Sequence, residues 1–398
     1  MQSGIKNITF IGAGTMGTAN AVTAALAGYQ SLLFDASPES LQNIPDRFAQ
    51  ITAYLISNDL CSADVAHKAI ASIKVTDSLS EATREPDLVS ESVTENLAIK
   101  RAVHAELDRL TPEHTLLTTN TSNLLVSAIE TAVCASRAEH FAALHSHLGS
   151  PLIDIVPGPR TSKTTIDSLE QYVISLGATP LILKKEHPGY VVNAMLGPLL
   201  TNALLMVGEG KATSIEIDRA WMVGNNVNIG PFGLIDAFGL NLIRDSWLYR
   251  EHDESSLRKK PIILSVLNPL TASNRLGHTS GAGFYDYPDP IFSRPEFITA
   301  GYSSHLSTLL NTVTFIHAVL IYKAGVASVE TIDKAWTLTI NSDSGPFAHR
   351  RLSPSGPNRQ EDKAQALTDI DSIEGIGWYP GHTLETIRSF IADLPERW

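Results

Sequence analysis

A glycine-rich segment near the start of the chain has the residue types and spacing of a nucleotide site. Gly12, Gly14 and Gly17 follow the apolar run 8–11 and open an Ala-rich helical pattern over 18–26. In such a turn the first glycine permits a tight bend, the second admits a pyrophosphate, and the third lets the helix pack closely on the strand. The helix N-terminus then faces the phosphates. This context favours a dinucleotide site over a glycine turn in a domain that binds no nucleotide.

Asp35 is placed to select the cofactor. It follows the second β-rich run, 31–34, and lies 23 positions after Gly12. A carboxylate there accepts hydrogen bonds from the adenosine ribose hydroxyls and repels a 2′-phosphate. Ala36 and Ser37 provide no arginine that would bind this phosphate. The sequence therefore predicts NAD as the cofactor, in preference to NADP.

Short β-rich runs alternate with helical stretches from Ile5 to about Lys185. This alternation is typical of a doubly wound, mostly parallel sheet with helices on both faces. The runs are 8–11, 31–34, 88–92, 115–118, 140–144, 152–156 and 180–183. After Pro188 helical patterns replace the strands. We predict a Rossmann-type α/β domain over 1–186, followed by an all-α part.

The all-α part contains one segment twice. Residues 212–232 recur as 327–347, with each shared residue 115 positions later. The recurring residues are Asp218, Ala220, Trp221, Asn226, Gly230, Pro231 and Phe232, which return as Asp333, Ala335, Trp336, Asn341, Gly345, Pro346 and Phe347. We therefore predict two tandem copies of a helical domain, over 187–290 and 291–398.

Several local features of this helical part are predictable. Three prolines over 287–295 indicate a linker, and 353–358 has the composition of an irregular loop. The apolar stretch 191–207 is interrupted by polar residues and a proline, so it indicates a buried core helix and not a membrane span. Trp221 and Trp336 are expected in the core, because their helical context supplies apolar neighbours.

The composition is that of an ordinary globular protein, with 398 residues, 43% of them hydrophobic and 18% charged. The net charge of −12, without clusters of Lys and Arg, argues against nucleic-acid and membrane partners. Cys61 and Cys134 are the only cysteines and lie in dissimilar contexts. They predict a reducing compartment, no disulfide framework and no metal site. The N-terminus has no signal-type stretch, so we expect a cytoplasmic protein.

Six further motifs follow the glycine-rich segment in a fixed order. They are Ser92-Val93-Thr94-Glu95-Asn96 with Lys100, Asn120-Thr121-Ser122, Ala143-Leu144-His145, Pro188-Gly189-Tyr190-Val191-Val192-Asn193, Ile229-Gly230-Pro231-Phe232 and Gly281-Ala282-Gly283-Phe284-Tyr285. In this order they resemble the 3-hydroxyacyl-CoA dehydrogenase family, including its lambda-crystallin and gulonate dehydrogenase branch. The resemblance covers roughly Ile5 to Tyr287.

The resemblance implies an NAD-dependent oxidoreductase that interconverts 3-hydroxyacyl and 3-oxoacyl groups by hydride transfer. It makes His145 the general base, which suits an imidazole that titrates near neutral pH. Ser122 and Asn193 are implied to face the reacting oxygen, although Asn193 has a local helix cap as its alternative. The implied cofactor contacts are Gly12, Gly14, Thr15, Met16, Gly17, Asp35, Glu95, Lys100 and Asn120. A charge pair on one helix face is the alternative for Glu95 and Lys100.

One departure from the family concerns the carboxylate that orients the histidine. The family has an Asn-Pro loop and then a glutamate on the next strand, whereas here the loop 145–151 is shorter and Asp154 takes the place of the glutamate. An alignment without a gap would place Pro157 there. A carboxylate at this position fixes the imidazole tautomer and stabilises the imidazolium. A solvated Asp154, an impaired pair, and His147 as the base remain alternatives.

The sequence indicates the chemical class of the substrate but does not identify the substrate itself. Few basic residues occur over 37–74, namely Arg47, Lys68 and Lys74, which weakens the expectation of a CoA thioester. The main hypothesis is a small-molecule hydroxyacyl thioester of CoA or a carrier, in fatty acid metabolism. A free polar 3-hydroxy acid is the first alternative, and a catalytically impaired NAD-binding protein is the second. We expect a monomer or weak homodimer, because the second helical copy covers the face through which single-copy relatives dimerise.

Overall fold

The structure is a computed structural model that describes residues 4–147, 149–249, 254–350 and 359–394. The loop predicted over 353–358 therefore lies outside the described residues. The chain forms two compact units. The first comprises Met1–Tyr190 with Gly325–Ala327, and the second comprises Val191–Ala324 with Ser328–Trp398. The boundary after Tyr190 is four residues later than the predicted boundary after 186.

An eight-stranded sheet forms the core of the first unit. Its strands are β1 Asn7–Ile11, β2 Gln30–Phe34, β3 Lys74–Thr76, β4 Leu88–Glu91, β5 Leu116–Thr119, β6 Phe141–Ser146, β7 Leu152–Pro157 and β8 Thr179–Ile182. The spatial order is β3-β2-β1-β4-β5-β6-β7-β8, and every pair is parallel except β6–β7. The seven predicted runs are confirmed to within two residues at each end. The short edge strand β3 was not predicted.

Eight helices belong to the described part of this unit. They are α1 Thr15–Leu26, α2 Pro38–Gln42, α3 Ile44–Ser57, α4 Ala63–Ser72, α5 Leu79–Ala82, α6 Leu97–Leu110, α7 Val126–Glu130 and α8 Lys163–Ser175, with a 3₁₀ turn at Arg137–His140. The central strands are buried and apolar because helices cover both faces of the sheet. The strand order reverses between β1 and β4, and ligands of such sheets bind at the carboxyl ends of the strands at this point.

The described part of the second unit is helical, apart from two isolated β-bridges. Its helices are α9 Val192–Gly208, α10 Ser214–Asn225, α11 Pro231–Phe238, α12 Leu240–Tyr249, α13 Glu254–Ala272, α14 Pro295–Thr299, α15 Ser304–Lys323, α16 Val329–Ile340, α17 Pro346–His349, α18 Arg359–Glu374 and α19 Gly381–Asp393, with 3₁₀ turns at His278–Ser280 and Ile291–Ser293. The regions predicted as two helical domains, 187–290 and 291–398, do not form separate compact bodies, because α9 and α10 pack against α15.

The two repeated segments share their local geometry. Asp218 accepts hydrogen bonds from the amides of Phe232 and Gly233, at 2.8 and 3.0 Å. Asp333 accepts them from the amides of Phe347 and Ala348, at 2.9 and 2.8 Å. In each segment an aspartate, fully buried at Asp218 and half-buried at Asp333, therefore caps the following short helix.

The repeated tryptophans confirm the prediction that they belong to the core. Trp221 and Trp336 are both buried, and their rings pack edge to face with centroids 6.3 Å apart. Aromatic pairs favour this arrangement. The packing of one repeated residue on the other explains why the two segments share one compact unit.

Two apolar helices lie in this unit. α9 buries most of its residues, which confirms the core helix predicted over 191–207. α15 is long and apolar enough to cross a membrane, with a mean hydropathy of 1.3, but 67% of that stretch is buried inside the protein. Buried core helices of soluble proteins have the same length and composition, so α15 is weak evidence for a membrane span.

Candidate active site

The glycine turn between β1 and α1 has the close contacts that its sequence predicts. Gly12 has a φ of +100°, and a Cβ at this position would lie 2.7 Å from the carbonyl oxygen of Ser92. A Cβ on Gly17 would lie 1.8 Å from the carbonyl oxygen of Gly12. Only glycine fits at these two positions, because a side chain would strike backbone. The turn and the helix are thereby held tightly against β4.

The N-terminus of α1 is open on the side that a pyrophosphate would approach. A Cβ on Gly14 would meet no atom within 4 Å. Gly14 is the N-cap of α1 and no side chain caps the helix, whose first two residues are Thr15 and Met16. The helix N-terminus carries partial positive charge and unpaired amides, which suit an anionic group. The observed turn therefore fits a dinucleotide, held by Gly12, Gly14, Thr15, Met16 and Gly17.

Asp35 lies at the end of β2, beside the glycine turn. Its Oδ2 accepts a hydrogen bond from the amide of Ala13 at 2.8 Å, and its Oδ1 accepts one from the amide of Ser37 at 2.8 Å. These bonds hold the carboxylate in the place expected for ribose recognition. Arg47 Nη1 donates to the carbonyl of the same Ala13 at 2.7 Å and to that of Ser40 at 2.9 Å. The two residues after Asp35 provide no arginine, as the sequence shows, but the fold brings the guanidinium of Arg47 to the glycine turn.

His145 and Asp154 meet across the antiparallel strands β6 and β7, which place them directly opposite each other. His145 Nδ1 lies 2.8 Å from Asp154 Oδ2, and His145 Nε2 lies 3.0 Å from Ser122 Oγ. Pro157, the residue that an ungapped alignment would select, pairs with Ala142 instead. The structure thus brings together the predicted histidine, carboxylate and serine, in the order Asp154, His145, Ser122.

His147 binds the same carboxylate oxygen as His145. Its Nε2 lies 2.9 Å from Asp154 Oδ2, and the two imidazole rings pack with centroids 4.5 Å apart. Oδ1 of Asp154 is buried and has no hydrogen-bond partner. The carboxylate is thus fully buried and not solvated at a strand end. From the sequence, His147 was predicted only as a competing base, and its sharing of Asp154 was not predicted.

Electrostatics keep Asp154 ionised. Burial on its own would raise the pKa of this carboxyl, but hydrogen bonds from His145 and His147 and their positive charge hold the pKa below its usual range. Tyr190 packs near His145, with ring centroids 5.5 Å apart. Burial, and then the negative charge of Asp154, raises the pKa of Tyr190 well above its ordinary value, so its hydroxyl remains protonated. An ionised carboxylate on Nδ1 leaves Nε2 as the nitrogen that exchanges protons.

Glu95 holds the segment that carries the serine. Its Oε1 accepts hydrogen bonds from Thr121 Oγ1 at 2.6 Å, from the amide of Ser122 at 2.9 Å and from the amide of Asn123 at 3.1 Å. The Glu95 side chain is 39% exposed, so part of it remains accessible to a ligand. Its predicted cofactor contact stays a prediction. Its role in positioning Ser122 was missed, because the two lie on loops that only the fold brings together.

Lys100 points inward. Its Nζ lies 2.7 Å from Oε1 of Glu91 and 3.6 Å from Oε2 of Glu95, and its side chain is 0% exposed. His104 Nε2 lies 3.1 Å from the other oxygen of Glu91, which also accepts from Thr119 Oγ1 at 2.7 Å. The ammonium of Lys100 therefore stabilises buried carboxylate, and its direct contact with the cofactor stays a prediction. In the sequence, the spacing of Lys100 and His104 by one helical turn on α6 was the signal that both side chains lie on the same helix face.

Asn120 joins the ends of three neighbouring strands. Its Nδ2 donates to Ser92 Oγ at 3.2 Å after β4, and its Oδ1 accepts from the amide of Ser146 at 3.1 Å in β6. Its cofactor contact stays a prediction. Asn193 is half-buried in the first turn of α9 and belongs to the second unit. Its predicted contact with the reacting oxygen also stays a prediction.

Comparisons with known proteins agree with this geometry. The model of the 3-hydroxyacyl-CoA dehydrogenase NAD-binding domain matches residues 7–186, and that of the C-terminal domain of the same family matches residues 189–287. The human mitochondrial hydroxyacyl-coenzyme A dehydrogenase is 31% identical over 294 residues, covering 71% of this chain and 91% of the human protein.

Two further relatives extend the comparison. A probable 3-hydroxybutyryl-CoA dehydrogenase from Bacillus subtilis is 31% identical over 290 residues, covering 72% of this chain and 98% of that protein. The crystal structure of 3-hydroxybutyryl-CoA dehydrogenase from Escherichia coli shares the fold over 98% of this chain and 99% of its own, with a TM-score of 0.75 at 21% identity. The chain belongs to the 3-hydroxyacyl-CoA dehydrogenase family and is an NAD-dependent oxidoreductase.

Proposed function

We propose that this protein interconverts a 3-hydroxyacyl and a 3-oxoacyl thioester, with His145 as the general base and acid. The observation that carries the proposal is the chain of contacts from Asp154 through His145 to Ser122 at the carboxyl edge of an NAD-binding sheet. The nicotinamide of NAD supplies the hydride acceptor in one direction and the donor in the other. All other steps use the chain's own residues.

In the oxidation direction, His145 Nε2 takes the proton of the substrate hydroxyl. Ser122 Oγ, 3.0 Å from Nε2, donates to or accepts from the same oxygen and so marks its position. Asp154 retains the Nδ1 proton and stabilises the imidazolium that forms. In the reduction direction the imidazolium returns its proton to the new alkoxide. Asn193 is proposed as a further hydrogen-bond donor to this oxygen.

A thioester is favoured over a free acid by the names of the relatives, which are hydroxyacyl-CoA and hydroxybutyryl-CoA dehydrogenases. An impaired NAD-binding protein is not favoured, since Asp154 and His145 are within hydrogen-bond distance. The assay described below distinguishes CoA from a carrier protein as the carrier of the acyl group. A role in fatty acid metabolism and a cytoplasmic location complete the proposal.

The second repeated segment is proposed to be a packing partner and not a second active site. The packing of Trp221 on Trp336 supports this, because it buries an apolar face inside one chain. We expect one active site per chain, in a monomer or weak homodimer without nucleic-acid or membrane partners. Analytical ultracentrifugation of the full chain tests the oligomeric state, and a tight dimer at low micromolar concentration would contradict it.

The decisive assay follows NADH oxidation with a 3-oxoacyl-CoA, the same acyl group on a carrier protein, and the free 3-oxo acid. We expect turnover with a thioester and little with the free acid. His145→Asn serves as the inactive control, and its NADH binding, measured by fluorescence, shows that it is folded. Turnover with the free acid alone would select the gulonate-like alternative. Tight NADH binding without turnover on any substrate would select the impaired protein.

A further inference from the structure

Three potential metal ligands converge at the ends of β6 and β7. His145 Nδ1 and His147 Nε2 lie 2.8 and 2.9 Å from the same oxygen of Asp154. Ligand atoms of all three residues lie within 4.8 Å of one another. Two imidazoles and one carboxylate form a ligand set that suits zinc and related transition metals.

A second observation independently points to a ligand at this position. Oδ1 of Asp154 is buried and has no hydrogen-bond partner. The Asp154 side chain is 0% exposed, and the side chains of His145 and His147 are 6% and 8% exposed. A buried carboxylate oxygen without a donor is unfavourable and rare. A cation bound by both oxygens of the carboxylate would satisfy Oδ1 and would lie beside the two imidazoles that converge on Oδ2.

The backbone holds these ligands in a fixed arrangement. His145 is the fifth residue of β6, and the register of β6 with β7 sets Asp154 opposite it. Residues two apart along an extended chain project to the same side, which brings His147 beside His145. His145 reaches the carboxylate from within β6, and His147 reaches it from the residue that follows the last residue of β6. Ion binding therefore needs small side-chain movements and no refolding of the main chain.

We propose that His145, His147 and Asp154 form a binding site for a divalent transition-metal ion such as Zn²⁺, and that this ion inhibits the enzyme. An ion on Nδ1 of His145 replaces the hydrogen bond to Asp154. The remaining proton of the neutral ring then resides on Nε2, the nitrogen that faces Ser122 Oγ. Nε2 can no longer accept the hydroxyl proton of a substrate. The inhibitory consequence rests on the proposed function, whereas the binding site does not.

Binding is tested on the full-length protein without turnover. The two cysteines are first replaced, as Cys61→Ser and Cys134→Ser, because both are free thiols that also bind zinc. The chelator-treated protein is titrated with Co²⁺ by visible absorption and with Zn²⁺ in competition with a chromophoric chelator. We expect one ion per chain and the absorption bands of low-coordinate Co²⁺. Absence of saturable binding would overturn the proposal, and would leave the dehydrogenase function untouched.

Variants locate the ion. His147→Asn should weaken Zn²⁺ binding by at least about tenfold. Loss of a residue that hydrogen-bonds to a metal ligand already lowers metal affinity by this factor, and loss of the ligand itself should lower it at least as much. The matched controls are His67→Asn and His382→Asn, which replace exposed histidines on α4 and α19. They should leave the affinity unchanged. NADH fluorescence shows whether each variant is folded. Equal Zn²⁺ affinity in folded His147→Asn and in its parent would overturn the site.

Inhibition is then compared with occupancy. NADH oxidation by a 3-oxoacyl thioester should fall in proportion to bound Zn²⁺ and return when a chelator removes the ion. Half-inhibition and half-occupancy should coincide. Full activity of protein saturated with Zn²⁺ would overturn the inhibitory part of the proposal. If His147→Asn does not fold, the Co²⁺ absorption spectrum of the parent protein tests the site instead. A spectrum that shows no nitrogen ligands on the ion would exclude the two histidines.

Discussion

His145 Nδ1 lies 2.8 Å from Asp154 Oδ2, in an antiparallel strand pair whose register places the two residues directly opposite. The family has a glutamate behind its histidine, and an aspartate is one methylene shorter. In this chain the register sets the shorter side chain of Asp154 opposite His145, within hydrogen-bond distance. The His147 contact with the same oxygen further restricts the carboxylate.

The first prediction concerns this pair. His145→Asn should lower the turnover number by at least about a hundredfold, because it removes the proton acceptor. Asp154→Asn should lower it by about ten- to a hundredfold, because the imidazole loses the charge that stabilises its cation and fixes its tautomer. NADH affinity should hardly change in either variant. Near-normal turnover of His145→Asn with an inactive His147→Asn would make His147 the base.

Asp154→Glu tests the shortened loop. Although it restores the residue type of the family, it adds a methylene to a side chain that is 0% exposed, and such overpacking costs about 1–3 kcal/mol. We expect the variant to be less stable and less active than the wild type. Thermal unfolding and the NADH assay measure the two effects. An Asp154→Glu protein that equals the wild type in both would show that the site has room for glutamate.

Glu95 provides the second prediction. Glu95→Gln should weaken the hold on the amides of Ser122 and Asn123, because a neutral amide oxygen is a poorer acceptor than a carboxylate. We expect the turnover number to fall by about tenfold, which corresponds to the loss of one charge-assisted hydrogen bond that positions Ser122. Glu106→Gln is the matched control, since Glu106 is exposed on α6 and pairs only with Arg109. A Glu95→Gln variant that loses NADH affinity alone would assign Glu95 to the cofactor instead.

The third prediction concerns stability in acid. Burial would raise the pKa of Glu91, but His104 and Lys100 lower it from 4.5 to about 2. Since the folded pKa lies below the unfolded one, the ionised carboxylate stabilises the fold above about pH 4.5, and this contribution is lost as the pH falls toward 2. The shift corresponds to roughly 3 kcal/mol. Glu91→Gln should flatten the decline in unfolding temperature between these pH values.

Glu91→Gln should also lower stability at neutral pH. It removes the nearer of the two carboxylates beside the buried ammonium of Lys100, a change that costs up to about 3–5 kcal/mol in similar pairs. Unfolding temperatures across the pH range measure both effects, with Glu106→Gln again as the exposed control. A variant that keeps the acid decline of the wild type would assign that decline to another carboxylate.

The fourth prediction concerns the cofactor. NADH should bind more tightly than NADPH, because Asp35 repels a 2′-phosphate. In Asp35→Asn the phosphate should become acceptable and pair with Arg47, which lies beside Ala13. We expect NADPH affinity to rise by about tenfold, the contribution of a charge-assisted bond. The double variant Asp35→Asn, Arg47→Met should lose this gain. Fluorescence titration decides, and equal affinity of the wild type for both cofactors would contradict the role of Asp35.

The strands of the first unit were predictable because their signals are local. The run 8–11 is apolar, ends at Gly12 and precedes a helical pattern. β3 was missed because Lys74–Thr76 is a short edge strand with exposed or half-buried residues, so it has no apolar pattern. The glycines of the turn were assigned correctly for a similar reason. A Cβ on Gly17 would strike the backbone of Gly12, which is near in sequence, and a Cβ on Gly12 would strike the backbone of Ser92, which follows the adjoining strand β4.

The missed parts of the site depend on contacts between distant residues. Glu95 contacts Ser122 from a loop 27 positions away, and Arg47 contacts Ala13 from 34 positions away. No periodicity or spacing encodes these distances, since they result from the order of strands in the sheet. The convergence of His145 and His147 on one oxygen depends in addition on side-chain conformations. The sequence identified the participants here, but not their arrangement.

The last prediction compares the two repeated caps. Asp218 is fully buried and accepts hydrogen bonds from two amides and, at 2.8 Å, from Tyr285 Oη. Within the part of the chain that the structure describes, Asp333 accepts hydrogen bonds from two amides. Burial raises the pKa of Asp218 to about 7 and that of Asp333 to about 6. Since these folded values exceed the unfolded value of 3.8, each carboxyl contributes most at low pH and less as the pH rises toward its folded pKa.

At low pH, where both carboxyls contribute fully, alanine should be more harmful at Asp218 than at Asp333. Each buried donor left unpaired costs about 1–3 kcal/mol, and Asp218→Ala leaves one donor more than Asp333→Ala. Ser328→Ala, which removes the side-chain cap of α16, is the reference and should cost about 1 kcal/mol. The expected order of unfolding temperatures is Ser328→Ala, then Asp333→Ala, then Asp218→Ala as the lowest. If Asp333→Ala unfolds below Asp218→Ala, the number of hydrogen-bond donors that each aspartate satisfies does not set the cost of losing it.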